Sequence, residues 1–171
     1  MTTITQAKMF GRAAHNKQVR KYTGLPYHTH TEEVADIVKA HGGTKEMIQA
    51  ALLHDTVEDT SVTFEDIRSR FGDVVSLLVW ELTDVSVPSD GNRAARKKLD
   101  REHNGRASRE AQIIKCADLI SNSKDIITND PGFAKVYIEE KRLTLELLTK
   151  VKDTAIFKEA DDIVRSYFDA T

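Results

Sequence analysis

Prolines stand at positions 26, 88 and 131 and nowhere else, and only eight glycines join them across 171 residues. Proline removes an amide donor and fixes φ, while glycine supplies conformations other residues avoid, so together they punctuate a chain. Between those marks the apolar residues recur at helical rather than alternating intervals. The spacing predicts helices at about 4–15, 31–41, 44–57, 63–71, 73–84, 91–103, 107–127, 132–150 and 155–168. Thr31 before Glu32-Glu33, and Thr63 before Glu65-Asp66, place a hydroxyl ahead of acids, as helix N-caps do. Ser108 and the Pro131-Gly132 pair mark two later starts. Gly42-Gly43 closes one helix and Gly72 separates two. The main irregular piece is RKYTGLPYHTH, residues 20–30, with room for a short hairpin. With no β-rich run, repeat or linker, the expectation is an all-α fold in which residues 1–171 form a single domain.

A content of 40% hydrophobic and 30% charged residues can bury a core of domain size. The formal net charge of -2 gives no global field toward nucleic acid or an anionic membrane. Cys116 is the one cysteine, which excludes an intrachain disulfide and a cysteine-rich zinc site. The N-terminal segment lacks the apolar run of a signal peptide, and no window approaches the length of a membrane span. A soluble cytoplasmic protein without nucleic-acid or membrane partners is expected. The sequence leaves its oligomeric state, including a homo-oligomer, open.

The stretch LLHDTVED, 52–59, is the point of greatest chemical tension. An apolar run leads straight into His54, Asp55, Glu58 and Asp59. Crowded carboxylates repel, and charges beside a core lose solvation, so a cation is the natural compensation. On one continuous helix these four groups span an arc of roughly 140°, with Ala51, Leu52 and Val57 opposite. His54 and Asp55 can then reach one metal from the helix edge, with Glu58 and Asp59 one turn on, facing its water. In IIKCADLISNSKD, Lys115, Asp118 and Asn122 share one helix face, while Ile113, Ile114, Ala117 and Ile120 fill most of the rest. Asp118 is the best third ligand. His30, at the end of the Pro-Tyr loop, is the best fourth. Two imidazoles and two carboxylates suit Mn, Fe or Zn. Each piece alone has a plainer reading: His-Asp pairs are common, and a lone Asp on an amphipathic helix usually caps or forms an ion pair. It is their combination that is specific.

RKYTGLPYHTH, ALLHDTVEDT and KCADLISN together resemble the hydrolase domain of the RelA/SpoT family, a branch of the HD-domain phosphohydrolases. The similarity is strongest to the short, hydrolase-only members, the small alarmone hydrolases, and runs from about Ala7 to Leu148. It implies an all-helical HD-domain bundle, one divalent metal ion (Mn²⁺), and removal of the 3′-pyrophosphate from guanosine tetra- or pentaphosphate. Carried over by motif, the metal ligands are His30, His54, Asp55 and Asp118, and the catalytic acid pair is Glu58 and Asp59. Arg20 and Lys21 take the place of the family's nucleotide contacts, and Asn122 that of its ribose-side polar residue. Thr31 stands where many relatives have Pro, and Cys116 where Leu is usual.

Arg93, Arg96 and Lys97 belong to a basic cluster that reads either as a solvated helix face or as donors to the substrate's phosphates. His28 reads as a surface or pocket residue rather than a ligand, because in an extended segment it points away from His30. His15, His41 and His103 read as structural or solvated, and Leu77, Leu78, Trp80 and Leu82 as core. Tyr27 reads either as a base-stacking group or as core packing. Metal-assisted phosphoester hydrolysis of a small nucleotide is the leading function. Two rivals remain: another nucleotide substrate, such as the 2′-phosphate of NADPH or a deoxynucleotide monophosphate, and a catalytically silent nucleotide-binding module. The intact HDxxED argues against the last, since a binder needs no acid pair beside the metal.

Overall fold

The computed structural model describes residues 2–170. Among them are ten α-helices, a three-residue 3-10 turn and an isolated β-bridge between Val19 and Pro26. The all-α expectation holds, and the hairpin allowed for residues 20–30 reduces to that one bridge. Among the described residues, no helix is long and apolar enough to cross a membrane. The chain divides into two compact units, one ending at Thr83 and the other beginning at Asp84.

The first unit contains α1 (Ile4–Ala14), α2 (His28–Ala40), α3 (Lys45–Leu53), α4 (Thr56–Asp59), α5 (Phe64–Phe71) and α6 (Asp73–Leu82). Thr3 starts α1 with a capping box: its hydroxyl accepts from the Gln6 amide at 3.1 Å, and Gln6 Oε1 accepts from the Thr3 amide at 2.7 Å. Thr63 caps α5 through the Asp66 amide, as its position predicts. Val34, Val38, Ala50, Leu53, Ile67, Val75 and Val79 are sealed in the core. The first helix lies so close to the third that a Cβ on Gly11 would sit 2.7 Å from the Leu52 carbonyl oxygen. Only glycine allows that approach, which buttresses α3 two residues before His54.

Three expectations fail in this unit. Thr31 does not cap a helix: α2 begins at His28, and Thr31 is a buried interior residue whose hydroxyl donates back to the His28 carbonyl at 3.1 Å. The helix expected over 44–57 is broken after Leu53, and α4 is a separate short turn. Leu78 and Leu82 are buried, but Leu77 and Trp80 are 55% and 49% exposed and lie with Val74 on the outer face of α6. A helix apolar on all sides carries no signal for which side packs.

The second unit holds the 3-10 turn Pro88–Asp90, then α7 (Arg93–Arg106), α8 (Arg109–Asn129), α9 (Pro131–Leu147) and α10 (Ala155–Asp169). Ser108 caps α8 through the Ala111 amide at 3.2 Å. Asp130 caps α9 through the Phe133 amide at 3.2 Å, ahead of Pro131 at the first helical position. Gln112 is wholly buried and fully used. Its amide donates to the Asn104 and Gly105 carbonyls at 3.2 and 3.1 Å, and its oxygen accepts from the Lys150 amide at 3.0 Å. It thereby ties the end of α7 and the segment after α9 to α8.

Candidate active site

The break after Leu53 is made by the motif itself. A helix that stops leaves its last carbonyls without intrahelical donors. Here His54 Nδ1 bonds the Ala51 carbonyl at 2.8 Å, and the Thr56 hydroxyl donates to the Leu53 carbonyl at 2.7 Å. The His54 and Thr56 side chains thus satisfy the end of α3 and let the chain turn without glycine or proline. Asp55 is swung off the helix surface into the corner, and α4 starts directly after it.

That bond also fixes the chemistry of His54. A carbonyl only accepts, so Nδ1 carries the hydrogen, and in the neutral ring Nε2 presents its lone pair. His54 Nε2 lies 3.1 Å from Asp55 Oδ2. His30, on the first turn of α2, brings its Nε2 to 3.7 Å from the same oxygen. Ligand atoms of His30, His54 and Asp55 all lie within 4.8 Å of one another. Both histidines are buried, and the Asp55 side chain keeps 19% of its surface. Two inward-facing imidazole nitrogens around one carboxylate oxygen fit a divalent first-row cation in donor type and spacing. His28, two residues before His30, is rotated by about 200° on the same helix and faces Glu32 at 4.0 Å. It is excluded from the cluster, as expected, through helical rather than extended geometry.

Around this triangle stand residues whose part the sequence did not announce. The Tyr27 hydroxyl donates to Asp55 Oδ2 at 2.7 Å. Its ring packs on His15 at 4.8 Å between centroids and on His30 at 5.7 Å. His15 is sealed in, 1% exposed, and its Nδ1 bonds the side-chain oxygen of Gln18. The Gln18 amide in turn donates to the Asp59 carbonyl at 2.9 Å. Tyr27 is therefore neither a free stacking group nor simple packing: it fixes the orientation of Asp55. Partners of this kind typically matter by about 10- to 100-fold in metal affinity. Tyr27→Phe is expected to weaken metal binding within that range while leaving the helical content intact, as read by metal titration calorimetry beside circular dichroism.

Glu58 and Asp59 occupy α4, exposed at the surface, one turn beyond Asp55. Although part of Asp59 meets solvent, its carboxyl is crowded by protein. That burial first, and repulsion from Asp55 second, raise its pKa above the usual carboxylate range, against the opposing pull of His15 and His54. The Tyr27 hydroxyl pulls the same way as the histidines, although its short bond goes to Asp55. A carboxylate with a raised pKa is the stronger base.

The remaining candidates are placed but differ in how they are engaged. Arg20, 11% exposed, reaches Glu33 at 3.1 Å, and Lys21 lies over the Tyr22 ring at 4.7 Å. Their loop closes through Arg20 N to Leu25 O at 2.8 Å and Tyr27 N to Gln18 O at 2.9 Å, with Gly24 at φ +69. In the second unit Asp118 is buried, accepting from Asn122 Nδ2 at 2.7 Å and pairing with Lys115 at 3.2 Å. Arg93 is clamped by Glu140 through two bonds of 2.7 and 2.9 Å. Lys97 is held by Asp84 at 2.6 Å and by Asp100 at 3.3 Å. Arg96 has its Nε buried, with no hydrogen-bond partner among the described residues. Arg93 and Lys97 are thus neither a plain solvated face nor uncommitted phosphate donors.

Comparison with known proteins accords with this geometry. Residues 7–123 match the HD domain family. The guanosine-3′,5′-bis(diphosphate) 3′-pyrophosphohydrolase MESH1 of Xenopus tropicalis is 38% identical over 142 residues, covering 80% of this chain and 77% of that protein. The Homo sapiens protein of the same name is 35% identical over 142 residues, with the same coverage. A solved structure of a metazoan orthologue of SpoT, described as hydrolysing ppGpp and acting in starvation responses, matches with a TM-score of 0.86 at 28% identity. That match covers 98% of this chain and 96% of the other. A crystal structure from Listeria monocytogenes matches with a TM-score of 0.71 at 26% identity, over 87% of this chain and 99% of that one. The motifs that end α3, the donor triangle they build and these matches agree: the chain belongs to the HD domain family, in the branch that holds the MESH1 proteins.

Proposed function

We propose that this protein hydrolyses guanosine 3′,5′-bis(diphosphate), and its pentaphosphate counterpart, to GDP or GTP and pyrophosphate, using one divalent cation, Mn²⁺. The observation that carries the reading is the His30–His54–Asp55 triangle with Glu58 and Asp59 one turn beyond it. Relatives that match most of the chain are named for this reaction. The HD-domain match runs across the Thr83–Asp84 division, which supports treating both units as parts of one catalytic domain.

His30, His54 and Asp55 would hold the cation. Asp118 is proposed as the fourth ligand on the strength of its KxAD motif and its burial. The cation supplies Lewis acidity, favouring deprotonation of water and drawing charge from a phosphoryl oxygen. The protein groups do the rest. Glu58 and Asp59 orient a water and accept its proton, and the raised pKa of Asp59 makes it a stronger base than an ordinary aspartate. The water oxygen bonds to the phosphorus attached to O3′, the P–O3′ bond breaks, and O3′ takes up a proton. Arg20 and Lys21 contact the nucleotide, Arg20 being held ready by Glu33, and Asn122 positions the ribose. Arg93, Arg96 and Lys97 line the phosphate side, with Arg93 and Lys97 held by their acidic partners. A nucleotide substrate accords with a cytoplasmic location.

The test is a nucleotide panel assayed with added Mn²⁺: the guanosine bis(diphosphate), NADPH and deoxynucleotide monophosphates. Preferential turnover of the guanosine compound supports the proposal. Preference for NADPH or a monophosphate would replace the substrate while keeping the centre. Turnover of none, with metal bound, would favour a silent binding module.

A further inference from the structure

The acid pair of HDxxED stands on a helix too short to hold itself. α4 has four residues, and a single turn bears the cost of helix nucleation without the gain that further turns bring. Inside it the Asp59 amide donates to the Asp55 carbonyl at 2.9 Å, and the Thr60 amide to the Thr56 carbonyl at 3.1 Å. Its start is tied by the Thr56 hydroxyl to the Leu53 carbonyl. A helix end leaves its last carbonyls without intrahelical donors. Here the Asp59 carbonyl accepts at 2.9 Å from the side-chain amide of Gln18, 41 positions earlier in the chain.

Gln18 is prepared for that bond. Its backbone is tied twice, the amide donating to the His15 carbonyl at 3.0 Å and the carbonyl accepting from the Tyr27 amide at 2.9 Å. Its side chain is tied again by His15 Nδ1. One atom sets the direction of this whole series. The Asp59 carbonyl only accepts, so Gln18 turns its NH₂ toward it and its oxygen toward His15, and His15 Nδ1 then carries the hydrogen. His15 closes α1 as its C-terminal cap, is sealed from solvent, and packs its ring on Tyr27. Its Nε2 is buried with no hydrogen-bond partner among the described residues. An apolar side chain would fill that space without leaving a polar atom unmet. What a histidine adds there is the Nδ1–H that orients Gln18.

We propose that Gln18, oriented by His15, is a positioning residue for the hydrolysis: by holding the Asp59 carbonyl it fixes where Glu58 and Asp59 present their carboxylates. This rests on the proposed hydrolase reading, in which that pair orients and deprotonates the water. The carbonyl and the carboxylate of Asp59 share one Cα, so a shift of the first carries the second with it. A general base works only within hydrogen-bond reach of the proton it takes. The crowding and the nearness to Asp55 that raise the Asp59 pKa depend on the same placement of α4.

The test compares Gln18→Met and Gln18→Glu with wild type on the guanosine bis(diphosphate). Met removes both side-chain bonds without adding charge. Glu keeps the acceptor for His15 but, as a carboxylate, has no hydrogen for the Asp59 carbonyl. In both variants kcat is expected to fall about 10- to 100-fold, with KM and bound metal nearly unchanged. A purely structural bond would lower the melting temperature and leave kcat of the folded protein unchanged, which would overturn the proposal. Full activity in Gln18→Glu, or a rise in KM with kcat kept, would overturn it as well. If wild type turns over no nucleotide, the hydrolase reading fails by itself. The anchor is then decided by ¹⁵N chemical shifts of His15 and by amide hydrogen exchange of Asp59 and Thr60. An Nδ1–H tautomer in wild type, with faster exchange in Gln18→Met, supports it; an Nε2–H tautomer or unchanged exchange overturns it.

Discussion

His54→Ala is expected to lose bound metal and hydrolysis together. His54 supplies the buried nitrogen 3.1 Å from Asp55 Oδ2, and its other nitrogen closes the end of α3 on the Ala51 carbonyl. The substitution therefore removes one ligand and loosens the turn that presents the next. A metal bound only by the folded state stabilises it by about 2.7 kcal/mol at a concentration one hundred times its Kd. Wild type should accordingly melt at a rising temperature as Mn²⁺ is added, whereas the variant should not respond. Metal content after dialysis and melting curves with and without Mn²⁺ check this. A variant that keeps stoichiometric metal would remove His54 from the ligand set.

Glu58→Gln should behave in the opposite way, retaining metal and fold while losing turnover. Gln has nearly the shape of Glu and still hydrogen-bonds a water, but cannot take its proton. Loss of general-base action costs about 10²–10⁴ in rate. Glu58 lies on α4, outside the His30–His54–Asp55 triangle, so the cation should be unaffected. The pair of variants divides HDxxED into two jobs, and the discriminating data are metal content beside kcat. If Glu58→Gln empties the site as His54→Ala does, Glu58 is a ligand. If it keeps full activity, Asp59 alone or another group accepts the proton; burial and Asp55 already raise the Asp59 pKa.

Much of this was legible in the residues because the signals were local. Thr63, Ser108 and Pro131 announce helix starts through hydrogen-bonding rules that act within three or four positions, and those helices lie where the spacing puts them. The motif around His54 also carried its donor chemistry openly, and His30, His54 and Asp55 do converge. What was hidden depends on contacts distant in sequence or on side chains acting against propensity. The break after Leu53 has no glycine or proline to signal it, since His54 and Thr56 end the helix with their own side chains. Thr31 looks like a cap because acids follow it, but the turn begun at Pro26 starts α2 three residues earlier. Leu77 and Trp80 look like core by composition, and only the packing of α6 decides that Val75, Leu78, Val79 and Leu82 face inward instead. The roles of His15, Gln18 and Tyr27 rest on contacts that reach 12 to 41 positions along the chain.

The most direct test follows the products. Protein stripped of metal by a chelator is incubated with the guanosine bis(diphosphate), with and without one equivalent of Mn²⁺, and the products are resolved by anion-exchange chromatography. Metal-dependent hydrolysis at the 3′ position predicts GDP and pyrophosphate in equal amounts when Mn²⁺ is present, and intact nucleotide when it is not. Intact nucleotide with the metal stoichiometrically bound, or orthophosphate in place of pyrophosphate, would contradict it.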